Sequence, residues 1–464
     1  FILISSKVGD LIGRKRAFVL GLLGYATGAL AMTLAQDLGA IIVFWAIIGG
    51  LGASLLLPAM QSLIHGNFEG AAQKKAYALV GASAAVAAAV GPLLGGFVTT
   101  FLSWRVGFFL ELVVIAVVLF NIKLVRDVPY TGPRQIDVRG AVLSVIGMGG
   151  VVLGILVWQE GGEFVGLTIA IGALALWALA RWLVRRRREG APTLLDPDLF
   201  RHPNFRLGIS QQALQNITLG GAMIALPIFL QISLEYDALE TGLTLAPLSL
   251  TMFAAAILAG RRAGNRRPAS IIRWGFALST VGMALLVPLV PKADSGWYLV
   301  IPLVLAGAGL GLLVSQLNNY TLAPIDEERI SEAAGVNSAA GSFGLSFGLA
   351  MAGGVLLAVL SLSFTNMTEA SDVIPADQQQ QIADKLDEDA EVTSSAKLEQ
   401  LLAEEPAAVQ DEVVSINTDA TDRSLQVALL VPIIASLIGL FKSFRMMRLR
   451  EIEPRAAVEG GVVI

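Results

Sequence analysis

An all-α polytopic membrane protein is the fold class this sequence predicts, on three observations. The 464-residue chain is 55% hydrophobic and only 15% charged, against about 25% charged in soluble domains. Its apolar residues come in long unbroken blocks, and about 20 of them in a row suffice to cross a bilayer as a helix. The blocks do not alternate as the roughly ten-residue strands of a membrane barrel would, and the helix is the other structure that satisfies a backbone in lipid.

The elements follow in order. Phe1–Ser5 reads as the last turn of a helix that begins upstream, so an N-terminally truncated piece is expected. Twelve apolar blocks then predict about 12 complete spans, at 17–36, 39–64, 76–99, 106–122, 140–158, 164–184, 207–232, 241–260, 274–291, 297–322, 334–363 and 424–443. They group into an N-terminal bundle (1–125), two inserted linker spans (126–190) and a connection (191–206). The first five spans of a C-terminal bundle (207–363), a polar loop (364–423), the last span (424–444) and a tail (445–464) complete the chain. The 364–423 loop is acidic, with fifteen Asp or Glu against three basic residues, and its Ile, Leu and Val recur at helical spacing. One or two short surface helices are expected there.

Basic residues collect in cytoplasmic loops. With Lys7–Arg16 inside and one crossing per block, only Arg105, Lys292, Lys385, Lys397 and Arg423 of the 33 Lys and Arg fall outside. That alternation supports the span count. It places the basic loops and the C-terminus in the cytoplasm of a multi-pass cell (inner) membrane protein, with 364–423 outside. The slight acidic net charge comes from that one segment and gives no sign of a nucleic-acid partner.

Several chemistries are excluded. The chain has no cysteine, and its two histidines, His65 and His202, fall in predicted loops, so neither thiol chemistry nor a histidine metal site is expected. No phosphate-binding G-x-x-x-x-G-K-[ST] loop occurs. No acid, histidine and nucleophile cluster points to an enzyme, and no cofactor is expected. "GAGLGLL" at Gly307–Leu313 lies inside an apolar span with no preceding strand, which predicts close helix packing and no nucleotide site.

Three groups of residues carry chemistry. In "KVGDLIGRKR", Asp10, Gly13, Arg14 and Lys15 sit in a tight turn between spans, where Asp beside Arg makes charge-assisted hydrogen bonds to helix ends. This is either a latch on the cytoplasmic face or a plain positive-inside loop. Glu111 is the one Asp or Glu well within an apolar block. An intramembrane acid is costly and marks function by default, so Glu111 is expected to carry protons or recognise a cation. Its alternative is a hydrated place near the outer interface. Gln211 with Gln215, and Gln212 with Asn216, are i, i+4 pairs sharing faces; with Gln316, Asn318, Asn319 and Tyr320 they are candidates to line a cavity or to hydrogen-bond between helices.

"AAVGPLLGG" (Ala88–Gly96) interrupts its span with a proline and glycines. Ser83, Ala87, Gly91 and Gly95 fall at i+4 steps, a face that lets helices approach closely, and Pro92 bends the helix. Gly91, Pro92, Gly95 and Gly96 are expected to form a bent, closely packed stretch of helix.

These motifs together resemble the major facilitator superfamily. Asp10, Gly13, Arg14 and Lys15 match its signature loop, with Ser6 where that pattern has glycine and Leu11 where it has arginine. "GPLLGG" matches the antiporter signature G-P-x-x-G-G, and "SWRVGFF" is similar to the W-R-W-x-F stretch after it. The two inserted spans and the long loop before the last span resemble the fourteen-helix drug:proton antiporter branch. Ala46 stands where the family's corresponding span usually has arginine. The resemblance implies two helical bundles, alternating access and export of small lipophilic or cationic compounds, driven by protons and carried out by a monomer. It further implies that the first span and most of the second are missing, the first often bearing a coupling acid. A metabolite uptake permease or facilitator of the same fold is the alternative within transport, and a non-transporting membrane sensor or scaffold the alternative outside it.

Overall fold

The computed structural model describes residues 1–68, 83, 86–87, 90–127, 136–159, 164–261, 267–325, 329–371, 373–374 and 407–449. Among these residues no strand occurs. The helices, numbered in chain order, are α1 (Ile2–Ile12), α2 (Arg14–Leu34), α3 (Gly50–Asn67), α4 (Val90–Phe101), α5 (Trp104–Phe120), α6 (Val138–Gln159), α7 (Val165–Arg188) and α8 (Pro203–Ile228). They continue as α9 (Ala238–Arg261), α10 (Pro268–Leu286), α11 (Val300–Leu322), α12 (Ile330–Glu369), α13 (Ala407–Ala428) and α14 (Leu430–Arg448). Ten stretches are long and apolar enough to cross a membrane. The shorter α4 and α5 occupy two further expected spans, so about 12 spans stand. Residues 76–82, within the third block, lie outside the described residues. His65, expected in a loop, falls in the last turns of α3.

The run before α3 is a nine-residue π-helix, Ile41–Gly49. Such widened turns are rare and concentrate at functional sites. It contains Ala46, the position where the family pattern has arginine.

The inserted helices α6 and α7 pair tightly, and α12 packs along α8, α6 and α1. The best-filled core lies in the C-terminal half, where Phe229, Leu230, Met283, Leu286, Leu299 and Leu303 are fully enclosed. There the glycines of "GAGLGLL" do the packing. A Cβ on Gly307 or Gly311 would strike the backbone of Leu248 or Met252 on α9, and one on Gly309 the backbone of Ser279 on α10. A second core, with Leu3, Leu183, Leu199, Phe205 and Ala333, joins α1, the inserted pair, the connection and α12 at the end rich in basic residues.

At the opposite end α12 continues far past its apolar block, to Glu369. Helix α13 packs back on it through Val409, Val413, Ile416 and Ala420 against Leu360, Phe364 and Ile374. The expected short surface helices of 364–423 are, in the described part, the extension of α12 and the long α13. Residues 375–406 lie outside the described residues.

Candidate functional site

At the basic end the turn between α1 and α2 is built around Gly13, whose φ of 101° is a left-handed conformation that side chains disfavour. Asp10 accepts from Arg14 Nε at 3.3 Å. Asp127 holds the turn from outside, accepting from the Lys15 backbone N–H at 3.0 Å, while Lys15 Nζ donates to the Val125 carbonyl at 2.6 Å. The four expected residues are thus gathered in one place.

The same turn reaches the other half of the protein. Lys7 Nζ lies 3.4 Å from Glu332 Oε2, in the first turn of α12. The other oxygen of Glu332 accepts from the backbone N–H of Asp196. Asp196 pairs with Arg329 at 3.4 Å and Arg187 at 3.3 Å, and Arg187 also pairs with Asp198 at 2.7 Å. The hydrogen bond from Arg187 holds the Asp198 carboxyl below its ordinary value. One chain of charges therefore joins α1, the end of α7, the connection and α12. Sequence reasoning missed Glu332 and Asp196; the signal available was an acid two residues before the apolar block at 334.

At the other end the halves meet through the proline–glycine helix α4. A Cβ on Gly96 would lie 2.9 Å from Leu239 Cα and 3.0 Å from the Ala238 carbonyl carbon. Reciprocally, one on Gly242 would lie 3.0 Å from the Pro92 carbonyl carbon. The Leu239 N–H donates to Thr100 Oγ1 at 3.2 Å. Gly91 and Gly95 meet nothing within 4 Å, and Ser83 and Ala87 are exposed with them. This corrects the expectation for the small-residue stripe: it faces away from this contact, and the close approach belongs to Gly96 and Pro92.

Glu111 lies in the middle of α5, with Tyr25 of α2 as its neighbour. Its Oε2 is buried with no hydrogen-bond partner among the described residues. Arg105, near the start of α5, is engaged elsewhere, donating to the Ala35 carbonyl at 2.7 Å and stacking on Trp104 at 4.4 Å.

The polar residues of the C-terminal half divide between buried and exposed positions. Gln211 and Gln215 are buried, and Gln211 Nε2 donates to the Gly439 carbonyl on α14 at 2.9 Å, a helix–helix hydrogen bond. Asn216 Nδ2 donates to the Gln212 carbonyl of its own helix at 2.9 Å. Gln316 is buried; Asn318 and Asn319 are exposed, and Asn318 accepts from Asn337 on α12 at 2.6 Å.

Two helical bundles with an inserted helix pair are the arrangement the resemblance implied, and the Major Facilitator Superfamily profile matches residues 1–349. The chain belongs to this superfamily. Among curated relatives of this superfamily member, a probable actinorhodin transporter of Streptomyces coelicolor is 25% identical over 78% of this chain and 64% of that protein. The puromycin resistance protein pur8 of Streptomyces alboniger is 29% identical over 75% of this chain and 70% of that protein. The multidrug export protein EmrB of Escherichia coli is 26% identical over 74% and 68% respectively. The chain thus spans about two thirds of the length of these relatives. Among solved structures, an inward-facing bacterial homologue of the human lysosomal transporter Spinster superposes with a TM-score of 0.55 and 13% identity, over 96% of this chain and 85% of that one. The human organic anion transporter MFSD10 gives 0.51 and 15%, over 94% and 80%. At these identities the structural likeness speaks for the major facilitator fold alone.

Proposed function

We propose that this protein is a secondary active exporter. It moves small lipophilic or cationic compounds out of the cell against an inward flow of protons, by alternating access. The observation that carries this reading is the pair of contacts between the halves, one at each end. The ion-pair chain from Lys7 through Glu332 to Asp196 closes the basic end, and the backbone contact of Gly96 and Pro92 with Ala238 and Gly242 closes the other. Two closures of different chemistry let each end open while the other stays shut. Ion pairs yield to water and to charge, whereas the glycine-mediated contact is mainly backbone packing and parts with the loss of one hydrogen bond, from the Leu239 N–H to Thr100 Oγ1. The drug-resistance and multidrug-export names of the relatives support export over uptake.

In this reading the basic end and the C-terminus face the cytoplasm of the cell membrane, following the distribution of Lys and Arg, and α13 as far as Arg423 stands outside. Glu111 is the proton-carrying group of the N-terminal half. The protein works as a monomer without enzymatic chemistry or cofactor.

The test uses the full-length protein in inverted vesicles. A fluorescent lipophilic cation accumulates on imposing an inside-acidic proton gradient, and a protonophore abolishes the accumulation. Movement in the opposite sense identifies an uptake permease, and no gradient-dependent flux of any lipophilic compound overturns the proposal.

A further inference from the structure

The inserted helices carry chemistry that alternating access does not use. Asp137 is buried at the basic end, where α6 begins and α7 finishes. It caps α6 by accepting from the Gly140 N–H at 3.0 Å, and it draws in the connection through the Leu194 N–H at 3.4 Å. Its two oxygens also accept from the Trp182 indole N–H, at 3.0 and 3.1 Å. A buried acid thus fixes one tryptophan of α7 against the start of α6. Two guanidinium groups lie over that indole, Arg139 of α6 at 5.3 Å and Arg186 of α7 at 5.5 Å from the ring centre. Arg181, the residue before Trp182, lies 4.8 Å over Trp177.

Charge at this place is unbalanced. Arg185 pairs with Glu189, and Arg187 with Asp196 and Asp198. Asp137 is taken up by the indole and two backbone groups. Among the described residues Arg139, Arg181 and Arg186 have no ion-pair partner. Stacking on a ring fixes where a guanidinium sits and leaves its in-plane N–H donors free for a planar anion. Arg186 gives its Nε–H to the Pro192 carbonyl at 3.0 Å. The remaining fork of donors suits a phosphate.

The surface next to these donors selects what brings the phosphate. Leu167, Ile171, Leu174 and Trp177 recur at three- and four-residue steps and are all exposed, so they form one apolar stripe along α7. Arg181 is the next step of that stripe. A ligand with a hydrocarbon chain on the stripe brings its head to Arg181, whereas a free phosphate gains nothing from it.

We propose that Arg139, Arg181 and Arg186, held by Trp177 and Trp182, bind the phosphate head of an anionic membrane phospholipid whose acyl chain lies along the α7 stripe. A zwitterionic head fits less well, because its ammonium faces the same unpaired guanidinium groups. The site adjoins Arg187, whose ion pairs belong to the charge chain between α7 and α12. The bound lipid therefore seats the inserted pair where that chain attaches, whichever compound the protein moves.

The test is native mass spectrometry of the purified full-length protein in detergent. It is titrated with palmitoyl-oleoyl phosphatidylglycerol, with the matching phosphatidylethanolamine and with inorganic phosphate. Wild type should bind phosphatidylglycerol at least about tenfold more tightly than phosphatidylethanolamine. Each basic residue at a membrane surface strengthens the attraction of an anionic lipid by about fivefold. Arg181→Gln should therefore weaken phosphatidylglycerol by about fivefold, and the double variant Arg139→Gln, Arg181→Gln by about 25-fold. Arg185→Gln is the control. It removes the same charge one turn further along α7, but from a guanidinium paired with Glu189, and should change the affinity by less than about twofold. Equal losses in Arg181→Gln and Arg185→Gln would mean diffuse attraction to a basic end and overturn the site. So would equal wild-type affinities for the two lipids, a comparison that needs no variant. Displacement of phosphatidylglycerol by inorganic phosphate overturns the lipid as the occupant.

Discussion

Replacing Gly96 by alanine should open the end of the protein opposite the basic loops, and replacing Gly91 should not. The Gly96 position leaves a new methyl group 2.9 Å from Leu239 Cα and 3.0 Å from the Ala238 carbonyl carbon, with the carbonyl oxygen nearer still. Carbon atoms rest about 3.5–4.0 Å apart, so α4 and the start of α9 must separate by roughly 0.5–1 Å. The obstacles are backbone atoms, which no rotamer change removes. Overpacking of this kind costs about 1–3 kcal/mol, and only while the two helices are in contact. The helix-propensity gain of Gly→Ala, up to about 1 kcal/mol, is the same whether the end is open or shut and drops out of that balance. The ratio of closed to open should therefore fall by about 5- to 150-fold. Gly91→Ala carries the same propensity gain and meets nothing within 4 Å, which makes it the matched control. The chain has no cysteine, so one cysteine pair can be placed cleanly. Phe97 and Leu243 are exposed and flank the contact; spin labels there report the separation by double electron–electron resonance. Gly96→Ala should move the distribution to longer distances and Gly91→Ala should leave it at wild type. Equal distributions in the two variants would refute the reasoning.

At the basic end, Lys7→Met should favour opening between α1 and α12 by about three- to tenfold, because it strands the Glu332 carboxylate, and Lys7→Arg should restore closure; spin-label distances across that pair measure both. The Arg187–Asp198 pair sets a pH window. The folded-state value of Asp198 is lowered by Arg187, so its contribution to stability is full above the ordinary carboxylate range near pH 4 and is lost as pH falls through the lowered folded value. Wild type and Asp198→Asn should differ in thermal stability by the same amount at about pH 7 and about pH 5, and converge only in stronger acid; convergence already at about pH 5 would contradict the assignment. Ile416→Ala should destabilise the α12–α13 packing by about 2–4 kcal/mol, while Thr418→Ala on the exposed face of the same helix should change little. Hydrogen exchange across 407–428 measures the difference.

What the sequence made legible follows from how far each feature is spread along the chain. The turn of Asp10, Gly13, Arg14 and Lys15 is contiguous, so its chemistry could be read from neighbours, and its glycine indeed takes a positive φ. The partner of that turn could not. Glu332 is 325 residues from Lys7, and nothing in a single sequence pairs two surface-end charges over that distance. Glu111 stood out because an acid inside an apolar block has no bland composition to hide in. In "AAVGPLLGG" the i+4 spacing identified a small face correctly as a face, but not its partner. Which side of a helix meets another element depends on the helix's rotation in the bundle, set by packing elsewhere. One hundred degrees of rotation separates Gly95 from Gly96, and that angle decides which glycine is indispensable.

Helix α12 shows the same limit in another form, and it also suggests how the two ends are kept in step. The apolar block predicted a span at 334–363, yet the helix runs unbroken from Ile330 to Glu369, 40 residues. Hydropathy marks where lipid ends, while a helix ends where its backbone hydrogen bonds do, and the packing of Val409, Val413 and Ile416 against Phe364 keeps the last turns formed. At 1.5 Å per residue the rod is about 60 Å long, twice a bilayer core of roughly 30 Å. Its first turn carries Glu332 of the charge chain, and its far end carries the α13 packing. A rigid element fixed at one end by ion pairs and at the other by an apolar seam transmits a tilt but not a local bend. Release of Lys7 at the basic end should therefore displace the α12–α13 hairpin on the other side of the membrane, with its seam intact.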